Sequence, residues 1–179
     1  GALHVLVNNA GIQFVSPIED FPNVKYENII AINMNAAFYA SKAAWPQMKS
    51  QNFGRIINIS SVHGLRASEY KSAYVAAKHG VIGMTKVMAL EGASYNITCN
   101  AICPGYVKTP LVEGQIKDQA KSHNMSEDEV VEKVMLKKQA VKDFVPLDAI
   151  GDMALLLAKD SSTTITGTSF ALDGGWSAQ

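Results

Sequence analysis

Apolar residues recur along this chain with two different periods. Short runs with clustered apolar residues at 3–7, 55–60, 97–102 and 167–172 read as strands. Between them, apolar positions at helical spacing predict long helices over about 26–48, 72–95 and 146–159. Pro46 falls near the end of the first helix, and the strand at 97–102 is closed by Cys103-Pro104-Gly105. Strands alternating with helices of this length predict βαβ units, hence an α/β fold with a doubly wound parallel sheet covered on both faces.

Residues 106–145 break the rhythm. They are more charged and predict two shorter helical segments, the second opened by a capping box of Ser126 and Glu129 and running to about Gln139. A doubly wound sheet usually holds a dinucleotide with a Gly-rich turn after its first strand. The chain contains no Gly-x-Gly-x-x-Gly, and it opens almost inside a buried strand. The expectation is that the first strands of the domain belong to a missing piece ahead of Gly1.

Composition narrows the function classes. Sixteen basic and sixteen acidic residues give no net charge, which argues against a nucleic-acid or anionic-membrane partner. No apolar run is long enough for a spanning helix, and the opening residues do not read as a signal peptide. Cys99 and Cys103, on one strand, would sit roughly 13 Å apart, beyond disulfide reach. With no clustered partners they predict buried thiols in a reducing compartment, not a metal site. The sequons at Asn58, Asn96 and Asn124 read as chance matches.

The chemistry centres on Tyr74 and Lys78, four residues apart on a predicted helix, which sets a phenol beside an ammonium. A nearby cation is expected to lower the phenol's pKa, making it a proton donor and acceptor near neutral pH. Ser61, just past the second strand, has a hydroxyl able to hold a carbonyl or alkoxide against Tyr74, or simply to cap a turn. Asn33 and Asn35 interrupt an apolar helix; an inward one needs partners such as a water and a backbone carbonyl, an outward one none.

Asn8-Asn9-Ala10-Gly11, Asn33, Ser61, Tyr74-x-x-x-Lys78 and Pro104-Gly105, in this order and spacing, resemble the short-chain dehydrogenase/reductase family. The resemblance implies a Rossmann-like domain, residues 1–179 being its C-terminal two-thirds, from the fourth strand onward. It implies Tyr74 as general acid/base and Lys78 as the group that lowers its pKa and holds the nicotinamide ribose. Ser61 would orient the substrate oxygen, and Asn33 would hold a water linking Lys78 to solvent. Asn8, Ala10, Gly11, Pro104, Gly105, Val107 and Thr109 would line the cofactor, with Tyr74 and Lys78. The residue that would distinguish NAD from NADP lies outside the chain.

Around these positions Gln13, His63, Lys71 and Gln115 suit a small carboxylate, although each alone has a plain surface reading. Together with Tyr106 and Trp176 as aromatic walls, they resemble the subgroup of bacterial D-3-hydroxybutyrate dehydrogenases. That subgroup implies NAD, a cytoplasmic homotetramer and a mobile substrate lid at about 106–145. The alternatives are another small hydroxy acid, a sugar alcohol or a 3-oxoacyl thioester as substrate, or a catalytically silent interaction module.

Overall fold

The computed structural model describes the backbone of residues 1–179 and every side chain except those of Leu111, Asp118, Gln119, Lys121, Ser122 and His123. Four strands, β1 (Val5–Asn8), β2 (Gly54–Ile59), β3 (Ile97–Pro104) and β4 (Ser169–Leu172), form one parallel sheet in sequence order. β2 and β3 are its central strands and are buried almost throughout. That is why their sequences do not alternate apolar with polar positions, and why even their polar residues Arg55, Asn58, Thr98 and Asn100 are buried.

Each face of the sheet buries its own helices. Helices α1 (Asn23–Ile30), α2 (Ala36–Ser50) and α3 (Ser72–Gly92) precede β3 in the chain. Ile56, Ile97 and Cys99 pack with Ala44 and Met48 of α2 and with Met88 and Ala89 of α3. On the opposite face Ile57 and Ile102 meet Leu157 of α6 (Leu147–Ala158), with Val5, Phe170 and Leu172 around them. α4 (Pro110–His123) and α5 (Glu127–Val130) occupy the charged segment in between. There Ile116, Val130 and Met135 make a small core of their own. The capping box at Ser126 and Glu129 is formed, and Glu129 also pairs with Lys133 at 2.8 Å. Helical structure from α5 continues through a π turn and a 3₁₀ turn to Lys138, one residue short of the expected end.

The helix expected over 26–48 spans Asn23 to Ser50 and contains a π turn at Ala31–Asn35. π turns inside α-helices recur at functional sites, and this one carries Asn33. The two thiols are free and buried, and burial pushes Cys99 up to about 12 and Cys103 up to about 11. At those values neither is a nucleophile at neutral pH. Asn58, one of the sequon asparagines, is buried in β2 between Asn8 and Thr85, which bears out the reading of a chance match.

Candidate active site

The C-terminal ends of β1, β2 and β3 open into one cavity of about 400 Å³, where ligands bind in parallel α/β sheets. Three loops and α3 build it. The turn after β2 carries Ser61 and His63, and Gly64 packs that turn onto α3. A Cβ at Gly64 would lie 2.6 Å from Ser60 Oγ and 2.9 Å from the Lys78 carbonyl, so no larger residue fits without displacement. Ser60 Oγ donates to the same carbonyl at 3.1 Å, tying the strand end to the helix turn that holds Lys78.

Tyr74 and Lys78 both face the cavity from α3, the Lys78 ammonium 5.6 Å from the Tyr74 ring centre. Lys78 is buried and donates to the Ile59 carbonyl at 2.8 Å; burial lowers its pKa to about 8. The expected lowering of the Tyr74 pKa is not found. Burial raises it above the ordinary phenol value, opposed by the neighbouring Ser61 hydroxyl and not by Lys78. The physical reason is that desolvation disfavours the phenolate more than the Ser61 hydrogen bond favours it. Tyr74 therefore stands as a protonated acid.

Asn33 is inward and buried. Its Oδ1 accepts from the Ile12 amide at 2.8 Å and its Nδ2 donates to the Ile12 carbonyl at 2.9 Å. This reciprocal pair fixes the loop after β1 against the π turn. A Cβ on Gly11 would sit 3.7 Å from Asn33 Oδ1 and 3.8 Å from Lys78 Nζ, so Gly11 lies close to both. Asn8 turns the other way: its Nδ2 donates to Asn58 Oδ1 at 2.8 Å and to Ser41 Oγ at 3.2 Å. Asn8 and Ala10 line an adjoining cavity of about 260 Å³, while Asn9 and Gly11 face the main one with Pro104, Gly105, Val107 and Thr109.

Two buried donors lining the cavity are poorly satisfied. Gln13 Nε2 is buried with no hydrogen-bond partner. Lys71 caps α3 at its first turn; its buried ammonium has one weak contact, to the Tyr106 hydroxyl at 3.5 Å. Burial, then repulsion from Lys138, lowers its pKa to about 8. His63 is held neutral, its pKa down at about 3, first by burial and then by Lys71. Its Nδ1 lies 3.4 Å from Ser61 Oγ and its Nε2 3.1 Å from Ser68 Oγ. Trp176 meets the His63 ring edge-on at 5.2 Å and stacks on Tyr106 at 6.0 Å. Gln115 of α4 reaches the same cavity. No acidic side chain lines it among the described residues.

Each of the four proposed catalytic residues is at or beside this cavity, as are all six expected substrate contacts. Sequence reading missed Asn9, and it missed the buried Gln139, whose Oε1 accepts from the Tyr106 amide at 3.3 Å. Gln139 Nε2 donates to the Asp143 carbonyl at 2.9 Å, so one amide pins the charged segment beside the site. A glutamine in a polar stretch carries no pattern that marks it as buried.

A cleft at the C-terminal ends of parallel strands, holding a buried tyrosine acid, a lysine and a hydrogen-bonding serine, defines a Rossmann-like oxidoreductase site. Residues 1–177 match the family model described as Enoyl-(Acyl carrier protein) reductase, and the chain belongs to the short-chain dehydrogenase/reductase family. It is 53% identical over its whole length to D-beta-hydroxybutyrate dehydrogenase of Rhizobium meliloti (strain 1021), covering 69% of that protein. It is 48% identical to the protein of the same name from Cupriavidus necator, again over the whole chain and 69% of the relative. Among solved structures, ElxO with NADP bound superposes with a TM-score of 0.85 at 29% identity, over 98% of this chain and 68% of that one.

Proposed function

We propose that this chain carries the catalytic and substrate-binding part of an NAD-dependent D-3-hydroxybutyrate dehydrogenase, interconverting D-3-hydroxybutyrate and acetoacetate. The observation that carries the substrate is a buried amide donor with no partner, Gln13 Nε2, and a buried ammonium, Lys71 Nζ, with one long hydrogen bond and no counter-ion, in a cavity without a carboxylate of its own. A buried ammonium without a counter-ion is costly, and an anionic ligand removes that cost. A small carboxylate supplies the charge and accepts from both donors.

The residues present fit a nicotinamide dinucleotide. The loops after β1 and β3 line the same cavity as Lys78, and Gly11 leaves its wall without a side chain. Asn9, Gly11, Pro104, Gly105, Val107 and Thr109 would hold it, with Lys78 at the ribose. Bound NAD supplies a hydride acceptor at the nicotinamide. Tyr74 gives its phenolic proton to the ketone oxygen in reduction and takes the hydroxyl proton in oxidation. Ser61 Oγ holds that oxygen against Tyr74 and, as the neighbour that favours the ionised phenol, stabilises the phenolate once the proton has left. Asn33 keeps the β1 loop in place beside Lys78 and holds the water through which the proton is replaced. Gln13, Lys71, His63 and Gln115 hold the carboxylate, so the carbinol carbon is presented in one orientation. Tyr106 and Trp176 wall the methyl side.

Residues 1–179 in this reading are part of a single domain, and 106–145 form the lid that closes over substrate. The assay is NADH formation by the full-length protein from the D- and L-enantiomers, with NADP in parallel. Fast turnover limited to the D-enantiomer and NAD is expected, and protection of 106–145 from amide exchange when acetoacetate and NAD are added. Turnover indifferent to enantiomer would remove the orienting role of the carboxylate clamp.

We further propose a cytoplasmic homotetramer, assembled through the exposed apolar side chains Phe38 and Tyr39 of α2 and Val87 and Leu90 of α3. Among the described residues no helix is long and apolar enough to cross a membrane. Light scattering of the full-length protein should return four times the protomer mass; a monomer at micromolar concentration would refute the assembly.

A further inference from the structure

Lys138 stands outside the set of residues that line the cavity, yet its side chain reaches the cavity wall. Its Nζ lies 5.6 Å from the centre of the Trp176 ring, the ring that stacks on Tyr106 and meets His63 edge-on. The backbone on either side is fastened. The Lys138 carbonyl accepts from Gln179 Nε2 at 2.5 Å, and the next residue, Gln139, is the buried amide bonded to the Tyr106 backbone. Ala140 and Val141 both donate their backbone amides to the Gly174 carbonyl, at 2.8 and 2.9 Å. Lys138 thus sits where the charged segment is fastened to the tail that carries Trp176.

Its charge is not spent on an acid. Among the described residues the one ion pair joins Lys133 and Glu129, and Lys138 makes no side-chain hydrogen bond. Asp173, the carboxylate of the tail, accepts from the Gly175 and Ser177 amides at 3.0 and 2.9 Å. A lysine with no structural partner, laid on the aromatic wall of an anion-binding cleft, adds to the field there.

We propose that Lys138 is a specificity-determining residue of this site, a second cation at the cleft mouth that draws anionic substrates toward Lys71 and disfavours neutral ones. The proposal rests on the carboxylate reading above. The charge of Lys138 is felt at both Lys71 and His63, where it opposes protonation, as a cation facing the same space must. It has a consequence for capture: a charge near the mouth acts on the approaching anion, so it changes kcat/KM more than kcat and fades with salt.

The test compares Lys138→Met, which keeps an apolar stem over Trp176, with Lys138→Arg, which keeps the charge. Both are assayed as full-length protein with NAD, on D-3-hydroxybutyrate and on its methyl ester, at low and high ionic strength. Lys138→Met is expected to lower kcat/KM for the acid by about threefold to tenfold at low salt, with kcat nearly unchanged. The loss should shrink at high salt, should be absent for the ester, and should not occur in Lys138→Arg. Equal loss for acid and ester would make Lys138 a packing residue of Trp176 and overturn the proposal. So would wild-type kinetics in Lys138→Met. Lys71→Ala, run beside it, separates the two readings. If Lys71→Ala penalises the acid alone while Lys138→Met does not, only the second cation is lost. If neither variant distinguishes acid from ester, the carboxylate site itself is wrong.

Discussion

Tyr74→Phe is expected to lower kcat by about 10²–10⁴-fold, the range that a positioned proton donor contributes, with NAD affinity left within a few-fold of wild type. The reason is local. Phe keeps the ring beside His63, which Tyr74 meets edge-on at 5.8 Å, and removes only the hydroxyl beside Ser61. Because burial holds the phenol protonated, the free protein is set for ketone reduction near neutral pH. Oxidation needs the phenolate and should rise with pH, whereas reduction should fall as the phenol is lost. Stopped-flow traces in both directions, with isothermal titration of NAD, check both parts. Near-normal turnover in Tyr74→Phe would remove Tyr74 from the proton transfer.

Lys71→Ala should cost about 100-fold in kcat/KM for hydroxybutyrate, most of it in KM, in keeping with the loss of one partner of a buried charge pair. The ester should be nearly indifferent. A pH dependence follows from the same group. Its pKa sits at about 8, below the ordinary lysine value, because burial and then Lys138 disfavour the ammonium. Below that pH Lys71 is charged and binds the anion; as pH rises through it the charge is lost and KM for the acid climbs. Bound carboxylate favours the ammonium, so the climb in the complex is displaced to higher pH. The KM profile of wild type against that of Lys71→Ala measures this, and a profile unchanged by the mutation would show that another group titrates. His63, neutral down to a pH of about 3, contributes hydrogen bonds and no charge across that range.

Much of the site was legible because its residues lie where strands end. Ser61 follows β2, Pro104 closes β3, and Tyr74 and Lys78 share one face of α3, relations that period and spacing carry in one dimension. Lys71 was harder, since its position depended on where α3 begins. The helix starts at Ser72, as expected, which leaves Lys71 at the N-cap position with its side chain lining the cleft. What local sequence could not supply was the balance of burial against charge. Tyr74 and Lys78 at four-residue spacing predict an acidified phenol, but desolvation depends on everything packed around the pair, and it reverses the sign.

The order and type of elements, the parallel sheet and the identity of the candidate proton-handling residues were set by the sequence. They follow from apolar period, turn residues and side-chain chemistry, all of which act over a few residues. The tertiary structure alone decided which asparagine amides face the cleft. It turned Asn8 into the sheet toward Asn58, set Asn33 on a π turn against Ile12, and left the buried Gln13 amide without a partner. It also decided that Lys71 is buried without a counter-ion and that Lys138 lies over Trp176. Those outcomes depend on contacts between segments far apart in the chain, where solvent exclusion sets the strength of every charge and hydrogen bond.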